Sequence, residues 1–310
     1  MKDSSILNDR LTLGAGLLAF LSATLWGGNT VSIKIASSGM PPAAIAAVRF
    51  FLGALAVWPY ARFAGISLKL VKEELLFLLG LVALFVVQIL TMNIGTSLTL
   101  AAHATVLISS YPFATALFAH LLIRGDHLNG GKILGMAVSF SGVALIFGEA
   151  FIVGSAGSIA GDLIVFSSCI LLGLRQVVTK RMTQGLHPVK LVFWQSVFSV
   201  PAFLAVTFIF EGSYEYRINP AVVAAILYQG VVVAGFCFIL LTSLLRRYNA
   251  SVITSFSFFT PLFGVILSGV LLGEVLSPWL ILSVALIAAG IVVVSRFGET
   301  KTDIKGSPGI

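Results

Sequence analysis

Charge is what this chain has least of. Only 10% of its 310 residues are Asp, Glu, Lys or Arg, against about 25% in a soluble domain, whose surface must face water. That scarcity excludes an ordinary water-facing surface. Cysteine is nearly missing as well. Cys169 and Cys237 lie singly inside apolar runs, with no CxxC or Cys/His spacing, which excludes a disulfide framework or thiolate metal site and leaves two small core side chains. Neither HExxH nor GxSxG occurs, and no intramembrane cluster of His and acid offers a metal or a nucleophile. No catalytic residue, metal or cofactor is therefore expected. The first apolar run, from about Gly14, is too long for a cleavable signal peptide and lacks a small-residue cleavage site.

What the chain does have is long apolar runs. Hydrophobic residues make up 58% of it, and its mean hydropathy is +1.05. The runs are continuous rather than alternating, and each approaches the roughly 20 residues that cross a bilayer as a helix. Lipid cannot satisfy backbone hydrogen bonds, so such runs are helical. The expected spans are 14–36, 43–61, 74–93, 100–123, 131–149, 160–182, 189–210, 220–245, 250–273 and 277–295. The fold class is an all-α membrane protein of ten transmembrane helices.

The formal net charge of +7 reports topology, and no nucleic-acid partner is needed to explain it. Fifteen of the 19 basic residues fall in the tails, the loops and the adjoining span ends on one side, with Arg217 alone on the other. Lysine and arginine mark the cytoplasmic side, so a multi-pass inner-membrane protein with both termini in the cytoplasm is expected. Lys34, Arg49 and Arg175 lie within spans. Lys34 is close enough to an end to snorkel to the interface.

The two halves resemble each other. Ala101–Leu122 can be laid over Ala250–Leu271 with Pro112 opposite Pro261, and Gly125-Asp126-His127-Leu128 then answers Gly273-Glu274-Val275-Leu276 after a one-residue slip. Gly142 answers Gly290, Lys34 answers Lys180 and Pro42 answers Pro188. Residues 1–150 and 151–310 thus form two units of five spans, and an odd number inverts the second unit relative to the first. Pro112 and Pro261 free the carbonyls of Ile108 and Ser257, which inside a membrane calls for side chains, water or a cavity. The expected result is a pair of kinked helices. An ordinary packing kink is the plainer alternative.

Amides and phenols inside the spans, among them Asn29, Gln88, Asn93, Gln176, Tyr228 and Gln229, serve either interhelical packing or substrate contact. Arg49 and Arg175 are deep enough to need a partner or a wet cavity, in a structural or gating role. None of the twelve acidic residues lies deep in a span. A cavity with cations and amides but no acid suits neutral, zwitterionic or anionic solutes. Gly131/Gly135 and Gly269/Gly273, at GxxxG spacing, permit close helix contact within the chain or in a homo-oligomer.

The stretches LWGGNTVSIKIA (Leu25–Ala36) and PPAAIAAVRF (Pro41–Phe50), with the mid-helix prolines and the GDHL and GEVL turns, are similar to the EamA branch of the drug/metabolite transporter superfamily. The resemblance covers nearly the whole chain and is specific for family, not for substrate. It implies a ten-helix basket with a cavity between the halves, as in YddG-type amino-acid exporters, threonine/homoserine exporters and other metabolite carriers. Carried onto this chain, the cavity lining would draw on Trp26, Asn29, Gln88, His103, Ser109, Tyr111, Gln176, Tyr228, Ser257 and Thr260. Arg49 matches the family's RF pair on the second helix. Arg124-Gly125-Asp126 departs from the family's aliphatic-Gly-Glu pattern. The expected function is export of amino acids or similar small metabolites across the bilayer by alternating access. The alternatives are a carrier of nucleotide-sugars, lipid-linked solutes or drugs on the same fold, and then a membrane-embedded enzyme.

Overall fold

A computed structural model of the chain describes residues 9, 11–123, 128–153, 156–248 and 250–298. Residues 124–127, which hold most of the first-half turn and the Arg124-Gly125-Asp126 departure, lie outside them, as do Lys2, Arg10, Lys301 and Lys305. Ten helical spans follow in order, and the described residues contain no strand. They are α1 (Leu13–Ser37), α2 (Pro42–Phe63), α3 (Lys72–Leu98), α4 (Ala101–Ile108, resuming as Tyr111–Leu122), α5 (Gly130–Val153), α6 (Ala156–Thr183) and α7 (Pro188–Phe210). Next come α8 (Pro220–Leu227, then Tyr228–Cys237, then Phe238–Arg247), α9 (Ala250–Ser255, Phe256–Phe258 and Phe259–Leu272) and α10 (Pro278–Gly298). The 27 residues of α3 reach about 40 Å at 1.5 Å per residue, enough to cross the hydrocarbon core.

Four spans begin on proline at the first helical position: α2, α7, α8 and α10, where the missing donor costs nothing. Asn219 Oδ1 accepts from Val222 N at 2.9 Å to start α8, and Ser277 Oγ accepts from Leu280 N at 3.0 Å to start α10. The carboxylate of Glu211 accepts from the first amides of α2, Ala43 and Ala44, at 2.8 and 3.2 Å. Glu274 does the same for Ala101 and Ala102 of α4, at 2.8 and 2.9 Å. Each is an anion on the positive end of a helix dipole.

The halves are inverted copies in detail. Lys34 on α1 does not snorkel: its Nζ donates to the carbonyls of Ser97 and Thr99 at 3.0 and 2.5 Å, with Thr96 at 3.4 Å, and so closes the C-terminus of α3. Lys180 on α6 is buried. Its Nζ donates to the carbonyls of Tyr248 and Leu245, at 2.8 and 3.4 Å, in and just past the last turn of α8. Leu245 and Tyr248 stand 149 residues after Thr96 and Thr99, the spacing that separates the two mid-helix prolines.

Lipid offers no hydrophobic drive between helices, so close packing through small residues has to hold them. Gly27 on α1 lies against Thr260 and Phe263 of α9, and a Cβ there would come within 2.8 Å of Phe263 Cβ. Gly173 on α6, 146 residues later, lies in the same way against Ala114 and Thr115 of α4. Gly95 and Gly161 bring α3 against α6. Gly142 and Gly290 bring α5 against α10, where Ser139 Oγ also donates to the Ile287 carbonyl at 3.0 Å. Gly273 instead takes φ +66 at the end of α9, so the Gly269/Gly273 spacing serves a turn. Replacing Gly290 by valine should force α5 off α10 and cost about 1–3 kcal/mol by overpacking. Thermal unfolding in detergent would read this as a lower midpoint than Gly148→Ala, a site with nothing within 4 Å.

Candidate substrate cavity

The α4 and α9 helices both break one turn before their buried prolines. The first stops at Ile108 and restarts at Tyr111; the second passes through a tight 3-10 turn at Phe256–Phe258. Serines supply donors at the break: Ser109 Oγ donates to the Thr105 carbonyl and Ser110 Oγ to the Leu107 carbonyl, both at 2.6 Å. A cavity lies where these two breaks meet α1, α6 and α8. It leaves about 40 Å³ for the centres of water-sized spheres, room for about three waters. Its polar wall is Ser22, Ser109, Tyr111, Gln176, Ser257 and Thr260, and its apolar wall includes Trp26, Ile108, Leu172, Leu241, Ile253 and Phe256. Among the described residues, no carboxylate lines it.

Six of the ten residues carried over by resemblance therefore stand on this wall: Trp26, Ser109, Tyr111, Gln176, Ser257 and Thr260. The other four sit off it. Gln88 Nε2 donates to Ser168 Oγ at 2.9 Å, tying α3 to α6. Tyr228 donates to the Leu25 carbonyl, packed over Gly28, where a Cβ would come within 2.7 Å of its hydroxyl. Asn29 is buried with its Oδ1 unpartnered. His103 belongs to a different cluster. Asn93 also packs, donating to the Pro42 carbonyl at 2.9 Å.

That cluster holds a buried acid, although at the end of its span and not deep in it. Asp162, on α6, is fully buried; its carboxylate takes the Thr99 hydroxyl at 2.5 Å and lies 3.3 Å from His103 Nδ1. Glu149 of α5 approaches the other ring nitrogen at 3.9 Å. A histidine between two carboxylates thus joins α4, α5 and α6 away from the cavity. The span boundaries alone hid this, because Asp162 sits only two residues inside the expected start of its span.

The middle of the bundle carries the opposite charge. Arg49 and Arg175 are 1% and 5% exposed. Among the described residues neither enters a salt bridge, and Arg49 Nε and Nη1 have no acceptor. Aromatic faces surround them. Arg49 lies 5.0 Å from the Phe50 ring centroid, and Arg175 lies 5.0 Å from Phe85 and 5.4 Å from Phe238. Such contacts contribute up to about 2 kcal/mol each when desolvated, whereas an uncompensated buried ion costs several kcal/mol. The arginines are held, but not neutralised.

The second half of this neighbourhood is the middle of α8, which runs as a π-helix from Tyr228 to Cys237. Long π segments are rare and concentrate at functional sites. Gly230 within it sits against Leu52 and the Arg49 carbonyl of α2. Nothing in a continuous apolar run distinguishes π from α winding, so the sequence gives no warning of it.

Two inverted five-helix halves with a cavity at the breaks of paired helices are the build of a membrane transporter. The pattern of the EamA-like transporter family matches residues 13–148 and again residues 159–296, and the chain belongs to that family. Membership makes it a transporter of small metabolites rather than an enzyme. It is 24% identical to the "Uncharacterized transporter YoaV" of Bacillus subtilis, over 89% of this chain and 94% of that protein. It is 26% identical to a "Probable amino-acid metabolite efflux pump" of Escherichia coli, and 27% identical to a protein of the same description from Salmonella typhimurium. Each of these alignments spans 90% of this chain and 93% of the relative. A solved crystal structure superposes with a TM-score of 0.71 at 17% identity, over 93% of this chain and 99% of that one, a likeness of fold.

Adding a methyl group at Gly28 should displace Tyr228 from Leu25. Gly28→Ala is expected to lower stability by about 1–3 kcal/mol, and Tyr228→Phe, which removes the clashing oxygen, should recover part of that loss. A double-mutant cycle on the detergent-solubilised protein would show coupling of at least about 0.5 kcal/mol.

Proposed function

We propose that the chain exports amino acids or similar small metabolites by alternating access. The supporting observation is the placement of the cavity: one broken helix from each half contributes its break to the wall, so rocking of the halves would widen the cavity toward one face and then the other. Residues 1–150 and 151–310 are the units that move. The wall runs from the break toward Ala19 of α1, Leu241 of α8 and Ile253 of α9, the end of the bundle at which the chain starts. Both ends carry ties: Lys34 on α3, Glu274 on α4 and Arg217 N donating to the Gly39 carbonyl at 3.0 Å at the far end, and Lys180 on α8, Asp9 N donating to the Arg247 carbonyl at 2.9 Å and the Lys190–Glu74 pair at the near one.

At about 40 Å³ the cavity is contracted, and a metabolite needs it opened first. The charge bias of the loops supports a cytoplasmic position for the end toward which the wall runs, in a cell whose inner membrane holds the protein. The two relatives described as amino-acid metabolite efflux pumps support the same direction and solute class.

Counterflow of labelled amino acids in proteoliposomes tests this reading, with and without a proton gradient. Saturable exchange is expected. Pro261→Ala, which restores a backbone donor at the α9 break, should slow exchange at least about tenfold if the break gates the cavity, with membrane insertion intact. Wild-type rates in a folded Pro112→Ala/Pro261→Ala protein would count against the paired breaks as hinges.

A further inference from the structure

The wall of the cavity is neutral, and the charge lies one layer behind it. We propose that Arg175, with Arg49 beside it, anchors a substrate carboxylate, so that the solutes carried are small carboxylates with an apolar body, such as apolar α-amino acids. This inference rests on the transport reading above.

Arg175 immediately precedes Gln176, which lines the cavity. Its guanidinium is 5.0 Å from the centroid of Phe85 on α3. It also lies over Phe238, the ring on which Trp26 of the wall stacks at 5.1 Å. Arg49 lies over Phe50, whose ring is 4.7 Å from Phe85 and 5.9 Å from Phe238, the two rings under Arg175.

The acids of the described residues are used at the ends of the spans. Glu74 is 2.6 Å from Lys190, Glu211 and Glu274 sit on helix N-termini, and Asp162 and Glu149 flank His103. Two buried cations without a carboxylate partner among the described residues, one of them with two idle nitrogens, form a ready receptor for an oxyanion. The guanidinium fork matches a carboxylate in shape and charge. A bound carboxylate would also relieve the repulsion between the arginines, an interaction that a neutral amide cannot supply and a bare amine would worsen. Around it, Trp26, Ile108, Leu172 and Phe256 offer apolar surface for the rest of the molecule.

The test uses the full-length protein in liposomes and two matched sets of solutes. One is leucine, leucinamide, 3-methylbutylamine and 4-methylpentanoate; the other is the phenylalanine counterparts. The two carboxylates of each set should exchange, and the amide and amine should be at least about tenfold poorer, because a site built around a polar group rejects analogues lacking it. Arg175→Met should raise KM for the carboxylates at least about tenfold and erase the preference over the amide, while Arg175→Lys keeps part of it. Helix content and gel-filtration behaviour would show that both variants fold.

Equal exchange of amide and acid by the wild-type protein would overturn the carboxylate anchor and leave transport standing. Wild-type KM in folded Arg175→Met would do the same, as would thermal stabilisation by chloride alone equal to that by leucine. Vesicles that move none of the solutes would overturn both readings.

Discussion

A helix that ends inside a packed bundle leaves its last carbonyls without donors, and no water is there to supply them. The architecture of this protein rests on one answer to that constraint, used twice. Lys34 reaches from α1 to the end of α3, and Lys180 reaches from α6 to the end of α8. Each lysine places a cation on the negative end of a dipole while the bond fixes the first helix of a half against its third. With the first helix located, Gly27 and Gly173 set how closely it meets the broken helix of the opposite half. The cavity forms at that crossing, and its wall residues on α1 and α6, Trp26 and Gln176 among them, are positioned by the same contacts.

Much of this is legible in the chain itself, for physical reasons. Apolar runs show span number and ends to within a few residues, because hydrocarbon thickness fixes helix length. The pairing of Pro112 with Pro261 and of Lys34 with Lys180 marks the inversion, since proline breaks and lysine caps act through the backbone and tolerate little substitution. Side-chain direction is harder to read. Gln88 and Gln176 are both amides inside spans, yet one bonds Ser168 and the other faces the cavity. The difference is a matter of helix rotation, and in an interior apolar on every side no amphipathic stripe reports it. The same silence covers Asp162. Its partners, Thr99 and His103, come from a neighbouring segment about 60 residues away.

The bundle separates its charges by depth. Acids gather where α4, α5 and α6 meet and at the starts of α2 and α4, while two arginines hold the middle among Phe50, Phe85 and Phe238. Ions in a low-dielectric interior interact over longer distances than at a water-facing surface. The arrangement gives the interior a positive centre screened by aromatic faces rather than by counter-ions.

The π segment of α8 adjoins this arrangement. Each π turn holds about one residue more than an α turn, so Tyr228–Cys237 stores slack in the winding rather than in a loop. If that stretch rewinds as α-helix, Phe238 swings about the helix axis relative to Tyr228, with every backbone bond still closed by another. Phe238 is the ring shared by Trp26 and Arg175. A small change of pitch would therefore uncover or cover the guanidinium from the cavity, without unfolding any part of the span or exposing an amide to lipid.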